Sequence, residues 1–300
     1  MRLTIIGAGT PTPGAERFGS AYVVVVGAQR LLFDCGPATT HKLARAGINV
    51  QDIHHVFFTH HHFDHNADYP CFLLSRWDQG GDEVERLRVW GPKPTEEITR
   101  RLIGEDGAFA DDWRARVMHP ASQRTYANRG GTVPRHPPAA EVVEIDVGDQ
   151  IEGDGWTIDV GPAWHVQPYL ESVAYRLEAD GHSIVFAGDT EPRSEVATFA
   201  TDCDVFVCMA WGDHETLTQT GEVGGVSSTR DAAAMASEAG AKELLLVHLG
   251  DSVRPRERQQ AAMEDMRSSY GGKITFAEEL HSIDLGPTAD GGLRESGARG

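Results

Sequence analysis

The sequence is short of the features that mark an exported or membrane protein. No apolar run approaches the ~20 residues that a membrane helix needs. The four cysteines lack the paired spacing of a zinc ribbon, so we expect reduced side chains, most of them in the core. Met1 leads into an apolar strand without a signal-peptide region, and we therefore expect a cytoplasmic protein with no membrane partner.

Positive charge is also scarce. Lys and Arg number 27 against 45 Asp and Glu, which gives a net charge of −18. Such a chain repels polymers rich in phosphate unless its basic residues are locally concentrated, so the balance argues against a nucleic-acid substrate. The 300 residues, 40% of them hydrophobic, are enough to bury a substantial core.

The most informative stretch that is present is a histidine cluster at residues 60–65, which reads His-His-His-Phe-Asp-His and follows the apolar run at 56–58. Imidazole nitrogens and carboxylate oxygens are the ligands that Zn²⁺ and similar ions take. The same residues could also form a solvated loop, but ionisable groups directly after a buried strand need partners to offset desolvation. The pattern therefore indicates a metal site with His60, His62, Asp64 and His65 as candidate ligands.

Three further residues of ligand type each close an apolar run of their own: His165, Asp189 and His248. Any one of them alone is explained as well by an ordinary cap at the end of a strand. Together with the histidine cluster they supply enough ligands for two metal ions that share a carboxylate and a hydroxide, as two-metal hydrolases require. We expect two Zn²⁺, with Mn²⁺ or Fe²⁺ as alternatives, and Asp64 as a catalytic residue that also orients the hydroxide.

With these motifs the chain resembles the metallo-β-lactamase fold superfamily, and most closely its ribonuclease Z and arylsulfatase-like branch. The resemblance includes residues 3–11, 32–36, 89–93 and 187–190 besides the ligand motifs, and extends to about residue 285. It implies one metal bound by His60, His62 and His165, a second bound by Asp64, His65 and His248, and a bridging Asp189.

The order of apolar runs predicts an α/β (α+β) protein, a four-layer αββα sandwich of two sheets with helices outside. We expect one domain over residues 1–285 and a disordered tail over 286–300. Periodicity predicts strands at 22–26 and 30–33, and helices at 40–46, 94–103, 191–200, 228–239 and 255–270.

The segment 104–140 has little periodicity, and we expect it to cover the active site. Trp113, Met118 and Tyr126 would anchor it. His119 and Tyr126, with Arg129 and His136, are then candidates for contact with the substrate, although for each of them taken alone a solvated surface position is the better explanation.

Other residues are candidates for supporting roles. Asp34 and Thr59 could accept the second N–H of ligating histidines, and Asp34 could equally be a turn residue beside Gly36. Phe63 and Trp211 could form an apolar wall, as could Trp164 and Tyr169, although core packing explains each of them as well.

Departures from the ribonuclease Z pattern bear on the substrate. That family carries a catalytic histidine where this chain has Val226, and a His-Glu-Ala where it has Cys208-Met209-Ala210. The tRNA-gripping arm before the bridging aspartate is absent as well. We therefore predict hydrolysis of a small-molecule ester, lactone, phosphodiester or sulfate ester.

Two alternatives stay open. One is a tRNA 3′-processing phosphodiesterase of the ribonuclease Z type, with His214 or His119 as a displaced proton donor. The other is an iron-binding redox protein on the same scaffold, because fold does not fix function. A homodimer is the default expectation for the oligomeric state.

Overall fold

The computed structural model describes residues 1–82 and 84–286, which contain two seven-stranded sheets. In their order across the first sheet, the strands are β14 (Ser282–Asp284), β1 (Arg2–Ala8), β2 (Ser20–Val26), β3 (Gln29–Phe33), β4 (Ile53–Phe57), β5 (Arg88–Gly91) and β6 (Glu141–Glu144). Those of the second sheet are β13 (Lys273–Phe276), β12 (Glu243–Val247), β11 (Val205–Met209), β10 (His182–Phe186), β9 (Val173–Ala179), β8 (Trp156–Pro162) and β7 (Gln150–Gly153). The predicted tail falls on residues 287–300, outside the described residues, apart from Gly286.

Helices cover the outer faces of both sheets. They are α1 (Thr39–Arg45), α2 (Phe63–Asn66), α3 (Tyr69–Gln79), α4 (Thr95–Ile103), α5 (Ala110–Met118), α6 (Pro120–Asn128), α7 (Ser194–Phe199), α8 (His214–Thr220), α9 (Thr229–Ala239) and α10 (Arg256–Met266), with a 3₁₀ helix at Val50–Asp52. Helices α1, α3 and α4 pack on the first sheet, and α7, α9 and α10 pack on the second. The predicted four-layer αββα sandwich is confirmed. Among the described residues, no helix has both the length and the apolar character needed to cross a membrane.

The space between the sheets is filled by aliphatic side chains and a cluster of stacked aromatic rings. The Phe33 ring stacks on Phe186 with centroids 4.1 Å apart, and Phe57 stacks on Trp90 at 4.9 Å. Burying each such ring stabilises the fold by roughly 1.5–3 kcal/mol. Because helices cover the outer faces, central strands are buried on both sides, which explains why they appear in the sequence as continuous apolar runs.

The predicted helices agree with the structure in their central turns and differ at their ends. Helix α7 begins at Ser194 rather than 191, because Pro192 disfavours helical backbone at the preceding Glu191 and Arg193 is extended, with a φ of −144°. Helix α10 ends at Met266 rather than 270, where the Tyr270 hydroxyl donates to the carbonyl of Ala241 and holds the chain against the second sheet.

The segment 104–140 departs from expectation, because it contains α5 and α6. It is fixed to the outer helix layer: the Tyr126 hydroxyl donates to Asp82 Oδ1 at 2.6 Å. The Arg135 guanidinium lies 3.7 Å from the Trp77 ring centroid, and its Nη1 donates to Asp78. These contacts place the segment against the end of α3, so the described residues give no support to the prediction that it covers the active site.

Candidate metal centre

The candidate ligands follow four strands whose carboxyl ends lie together. The histidine cluster follows β4, and His165, Asp189 and His248 follow β8, β10 and β12. Strands β10, β11 and β12 are parallel, and β8 and β10 are each antiparallel to β9, so the ends of β8, β10 and β12 share one edge of the second sheet. The first sheet packs its β4 end against this edge.

The candidate ligand atoms form two groups, each with its atoms within 4.8 Å of one another. The first group is His60, His62, His165 and Asp189, and the second is Asp64, His65 and His248. Within the first, His62 Nδ1 lies 3.0 Å from His165 Nε2, and within the second, Asp64 Oδ2 lies 3.1 Å from His248 Nε2.

Asp189 lies between the two groups. Its Oδ2 is 3.8 Å from His165 Nε2 and 3.3 Å from His248 Nε2, and its Oδ1 is 3.6 Å from His65 Nε2. Burial opposes ionisation of this carboxylate, but the surrounding imidazoles, His248 first, hold its pKa well below the usual range. A charged carboxylate is therefore available to ligand atoms on both sides.

Among the candidate ligands, three buried imidazole nitrogens lack a hydrogen-bond partner in the described residues: His60 Nε2, His65 Nε2 and His248 Nδ1. The first two face the centre, at 4.0 and 3.6 Å from the Asp189 carboxylate. A buried polar atom without a partner is costly unless a ligand completes it. Burial, assisted by neighbouring histidines, lowers the pKa of His60 far below its ordinary value, and the neutral imidazole is the form that coordinates metal. The donor set and its two open nitrogens fit divalent metal ions.

Asp34 and Thr59 contact the other ring nitrogen, Nδ1, of His65 and His60 respectively. Asp34 Oδ2 accepts from His65 Nδ1 at 2.8 Å, and Asp34 Oδ1 accepts from the Thr59 N–H at 2.8 Å. The Thr59 hydroxyl donates to Asp34 Oδ2 at 2.9 Å, and its oxygen, 3.0 Å from His60 Nδ1, can accept a hydrogen bond from the Nδ1–H of His60. These bonds fix both rings with Nε2 towards the site. Asp34 has a φ of 57°, so it also makes a tight left-handed turn after β3.

A third support was missed by sequence reasoning. His165 Nδ1 donates to the Gly225 carbonyl at 2.5 Å, and the Gly225 N–H donates to Glu191 Oε2 at 3.0 Å. The only signal for this support in the sequence was the carboxylate of Glu191, two residues after Asp189. His61, the remaining histidine of the cluster, lies 2.7 Å from Thr95 Oγ1 through its Nε2 and belongs to neither ligand group.

Of the other predicted site residues, Trp211 lies beside a candidate ligand, with its ring centroid 5.6 Å from that of His248. Phe63 starts α2 and is 55% exposed, and Tyr169 is 92% exposed in the loop after His165. His214 starts α8, with Nδ1 4.0 Å from Asp231 Oδ1.

The structure does not bring His119 or Tyr126 to the centre. His119 is exposed and caps α6, and Tyr126 is bonded to Asp82. Both belong to the outer segment, and no described contact joins them to a candidate ligand.

The departures from the ribonuclease Z pattern lie next to the centre. Val226 follows Gly225, whose carbonyl holds His165, and Met209 Sδ accepts the Thr190 N–H at 3.3 Å. Strands β9 and β10 are joined by a turn at Asp180-Gly181, where an inserted arm would begin.

A family model described as a beta-lactamase superfamily domain matches residues 29–249. The chain belongs to the metallo-β-lactamase superfamily. Within it, the chain is 30% identical over 297 residues to a protein named ribonuclease Z from Mycobacterium bovis BCG, covering 96% of this chain and 99% of that protein. This places it with the ribonuclease Z branch, and it is a metal-dependent hydrolase.

Solved structures of the superfamily share its fold. The metallo-β-lactamase fold protein YhfI from Bacillus subtilis aligns with a TM-score of 0.73 at 20% identity, over 94% of this chain and 98% of that one. The short form of human tRNase Z aligns with a TM-score of 0.67 at 20% identity, over 95% of this chain and 100% of that one.

Proposed function

We propose that the chain is a dinuclear metal-dependent phosphodiesterase of the ribonuclease Z type, with RNA as its substrate. The observation that carries a two-ion site is the position of the Asp189 carboxylate, within 3.8 Å of His165 on one side and 3.3 Å of His248 on the other. The RNA substrate is supported by the ribonuclease Z relative, which matches nearly the whole length of both chains. This reverses the substrate preference drawn from the sequence alone.

In this proposal each of the two groups of ligands would hold one divalent ion, and Asp189 would serve both groups. When bound, a pair of ions would supply a water of lowered pKa and positive charge for the phosphate oxygens. The protein's own contribution is positional: Thr59, Asp34 and the Gly225 carbonyl fix the rings of His60, His65 and His165. Asp64 is placed to accept a proton from the attacking water, as its carboxylate lies at the centre and is nearly fully buried.

A small activated ester is the second candidate substrate, and specific observations favour it. Val226 and Met209 leave apolar side chains where the family's proton donor and its acidic partner are expected. A substrate whose leaving group departs without a proton, such as a nitrophenyl ester, would be cleaved without that proton donor. The turn at Asp180-Gly181 also leaves no arm to hold a tRNA.

The test compares substrates with the zinc-loaded protein. We expect about two divalent ions per chain and cleavage of precursor tRNA and bis(p-nitrophenyl) phosphate. His62→Ala should lose both metal and cleavage, while His41→Ala, at an exposed position of α1, should keep both. Hydrolysis of small activated esters, bis(p-nitrophenyl) phosphate included, without cleavage of precursor tRNA would favour the second candidate. A single tightly bound iron with a visible absorption band would overturn both.

A further inference from the structure

A cavity of about 290 Å³ adjoins the candidate metal centre and has no role in the arrangement described above. We call it the Trp211 pocket, and the lining residues used below are Thr10, Thr216, Trp211, Glu222, Asp251 and Ser252. Its volume is close to the lower end of the range for small-molecule sites, enough for one planar ring group. The pocket is formed by the loops after β1, β11 and β12 and by α8.

The pocket is linked to the second ligand group through Trp211. The indole ring lies 5.6 Å from the His248 ring at an interplanar angle of 42°. Its Nε1 donates to Glu222 Oε2 at 2.9 Å, which fixes the orientation of the ring. Gly250, two residues after His248, permits this approach: a Cβ there would lie 1.8 Å from the Trp211 carbonyl oxygen. A molecule bound at the metal centre would therefore have a fixed aromatic surface beside it.

The charge of the lining selects the kind of group that can enter. Glu222 and Asp251 are acidic, and Asp251 is paired with Arg254. A phosphate group would be repelled by these carboxylates, whereas a neutral ring would not. One oxygen of Glu222 is engaged by Trp211, and a carboxylate can only accept hydrogen bonds, so the pocket favours a ring that donates them.

We propose that the Trp211 pocket binds the nucleobase next to the scissile phosphodiester, with preference for a base that carries an exocyclic amino group. Trp211 provides the stacking surface, and Glu222 accepts from the amino group. Hydroxyls of Thr10, Thr216 and Ser252 also line the pocket and suit the polar edge of a base. The inference rests on the proposed phosphodiesterase function, because that function places a phosphate at the metal centre.

Binding of product-like nucleotides to the zinc-loaded protein tests the pocket without requiring turnover. Ribose 5-phosphate, UMP and CMP carry the same phosphate and differ in the ring. By isothermal titration calorimetry we expect CMP to bind about 5- to 150-fold more tightly than ribose 5-phosphate, which is the range measured for stacking of a base on an aromatic side chain. CMP should also bind more tightly than UMP.

Two variants separate the contribution of stacking on Trp211 from that of the hydrogen bond accepted by Glu222. Trp211→Ala should remove the advantage of CMP over ribose 5-phosphate while both metal ions remain bound. Glu222→Gln should reduce the difference between CMP and UMP but keep the stacking contribution. Trp77→Phe is the matched control, because Trp77 lies in α3 beside Arg135, in the outer helix layer, and should change neither comparison.

Equal affinity for CMP and ribose 5-phosphate in the wild-type protein, or an unchanged CMP advantage in Trp211→Ala, would overturn the pocket assignment and leave phosphodiester cleavage intact. Conversely, a wild-type protein that cleaves no phosphodiester would overturn the proposed function, while the ring-dependent difference in binding would still report on the pocket.

Discussion

At the scale of single residues, Asp34 orients two parts of the candidate metal centre. Its carboxylate accepts from His65 Nδ1 and from both the N–H and the hydroxyl of Thr59, which in turn contacts His60. Burial raises the pKa of Asp34, and the bonds from His65 and Thr59 act against that rise. Removing the charge of Asp34 should weaken the hydrogen bonds that orient the rings of His65 and His60.

Asp34→Asn should therefore weaken metal binding by about 10- to 100-fold, the usual effect of losing a carboxylate behind a ligating histidine. Asparagine tolerates the positive φ at this position, so the turn should survive. Competition with a chromogenic chelator measures the affinity. Asp52→Asn, which removes an exposed partner of Arg30, is the control. Unchanged metal affinity in Asp34→Asn would show that the Asp34 carboxylate does not strengthen metal binding by the histidines.

Val226 permits a gain-of-function experiment. Val226→His should restore a proton donor beside His165 and raise cleavage of precursor RNA by about 100-fold, at the low end for general acid catalysis. The rate on bis(p-nitrophenyl) phosphate should change little, because its leaving group needs no proton. Val223→His, three residues earlier and exposed, controls for an added imidazole. Equal acceleration of both substrates would argue against proton donation.

The sequence revealed the candidate ligands because each of them closes an apolar run. It did not reveal the Glu191–Gly225–His165 support, whose members are brought together only when the loop before α9 folds over the end of β8. His119 and Tyr126 were predicted as site residues because their segment shows little periodicity; in the structure His119 caps α6 and Tyr126 is bonded to Asp82, just after α3.

At the scale of secondary structure, the N-terminus of α9 controls the loop that supports His165. Ser228 and Asp231 form a reciprocal capping box: the Ser228 hydroxyl accepts from the Asp231 N–H, and Asp231 Oδ2 accepts from the Ser228 N–H at 3.0 Å. Ser227, the preceding residue, donates to the Thr190 carbonyl at 2.7 Å. The capping box of α9 therefore also holds Ser227 in place against Thr190, the residue after the candidate ligand Asp189.

Ser228→Ala should lower the free energy of unfolding by about 1 kcal/mol, as is typical when a serine cap is lost. Urea denaturation followed by circular dichroism measures the change. Ser237→Ala, at an exposed position in the same helix, should be neutral or slightly stabilising because alanine favours helix. Similar effects of the two substitutions would show that the capping box contributes little.

Most elements were predictable from periodicity, and the exceptions have a physical reason. In α5 only Ala110 and Trp113 are buried, and in α6 only Tyr126 is buried. A helix that rests on the outer layer through one aromatic anchor needs no apolar stripe, so its sequence lacks the 3.6-residue repeat on which prediction depends.

At the scale of the whole molecule, the candidate centre joins the two sheets, and metal binding should contribute to global stability. Asp34, Asp64, Asp189, His60, His65 and His248 are all buried. Ligands that bind only the native state stabilise it, by about 3 kcal/mol at a hundredfold excess over Kd. For a chain of this length that corresponds to a rise in Tm of about 5 °C.

Removing metal with a chelator should lower Tm by that amount or more, and zinc should restore it, as followed by differential scanning fluorimetry. Asp189→Ala should reduce the response to zinc, because it removes the carboxylate between the two ligand groups. If the chelator leaves the Tm of the wild-type protein unchanged under conditions that remove all metal, binding is not linked to folding.

The pairing of β14 with β1 has a consequence for synthesis of the protein. Arg2 lies opposite Asp284 in this antiparallel pair, and the Leu285 N–H donates to the Met1 carbonyl at 3.0 Å. Strand β1 therefore keeps one edge without its partner until β14 has been made. An unpaired edge of apolar strand is a template for aggregation, so nascent chains stalled or truncated before residue 282 should depend on chaperones more than the finished protein does.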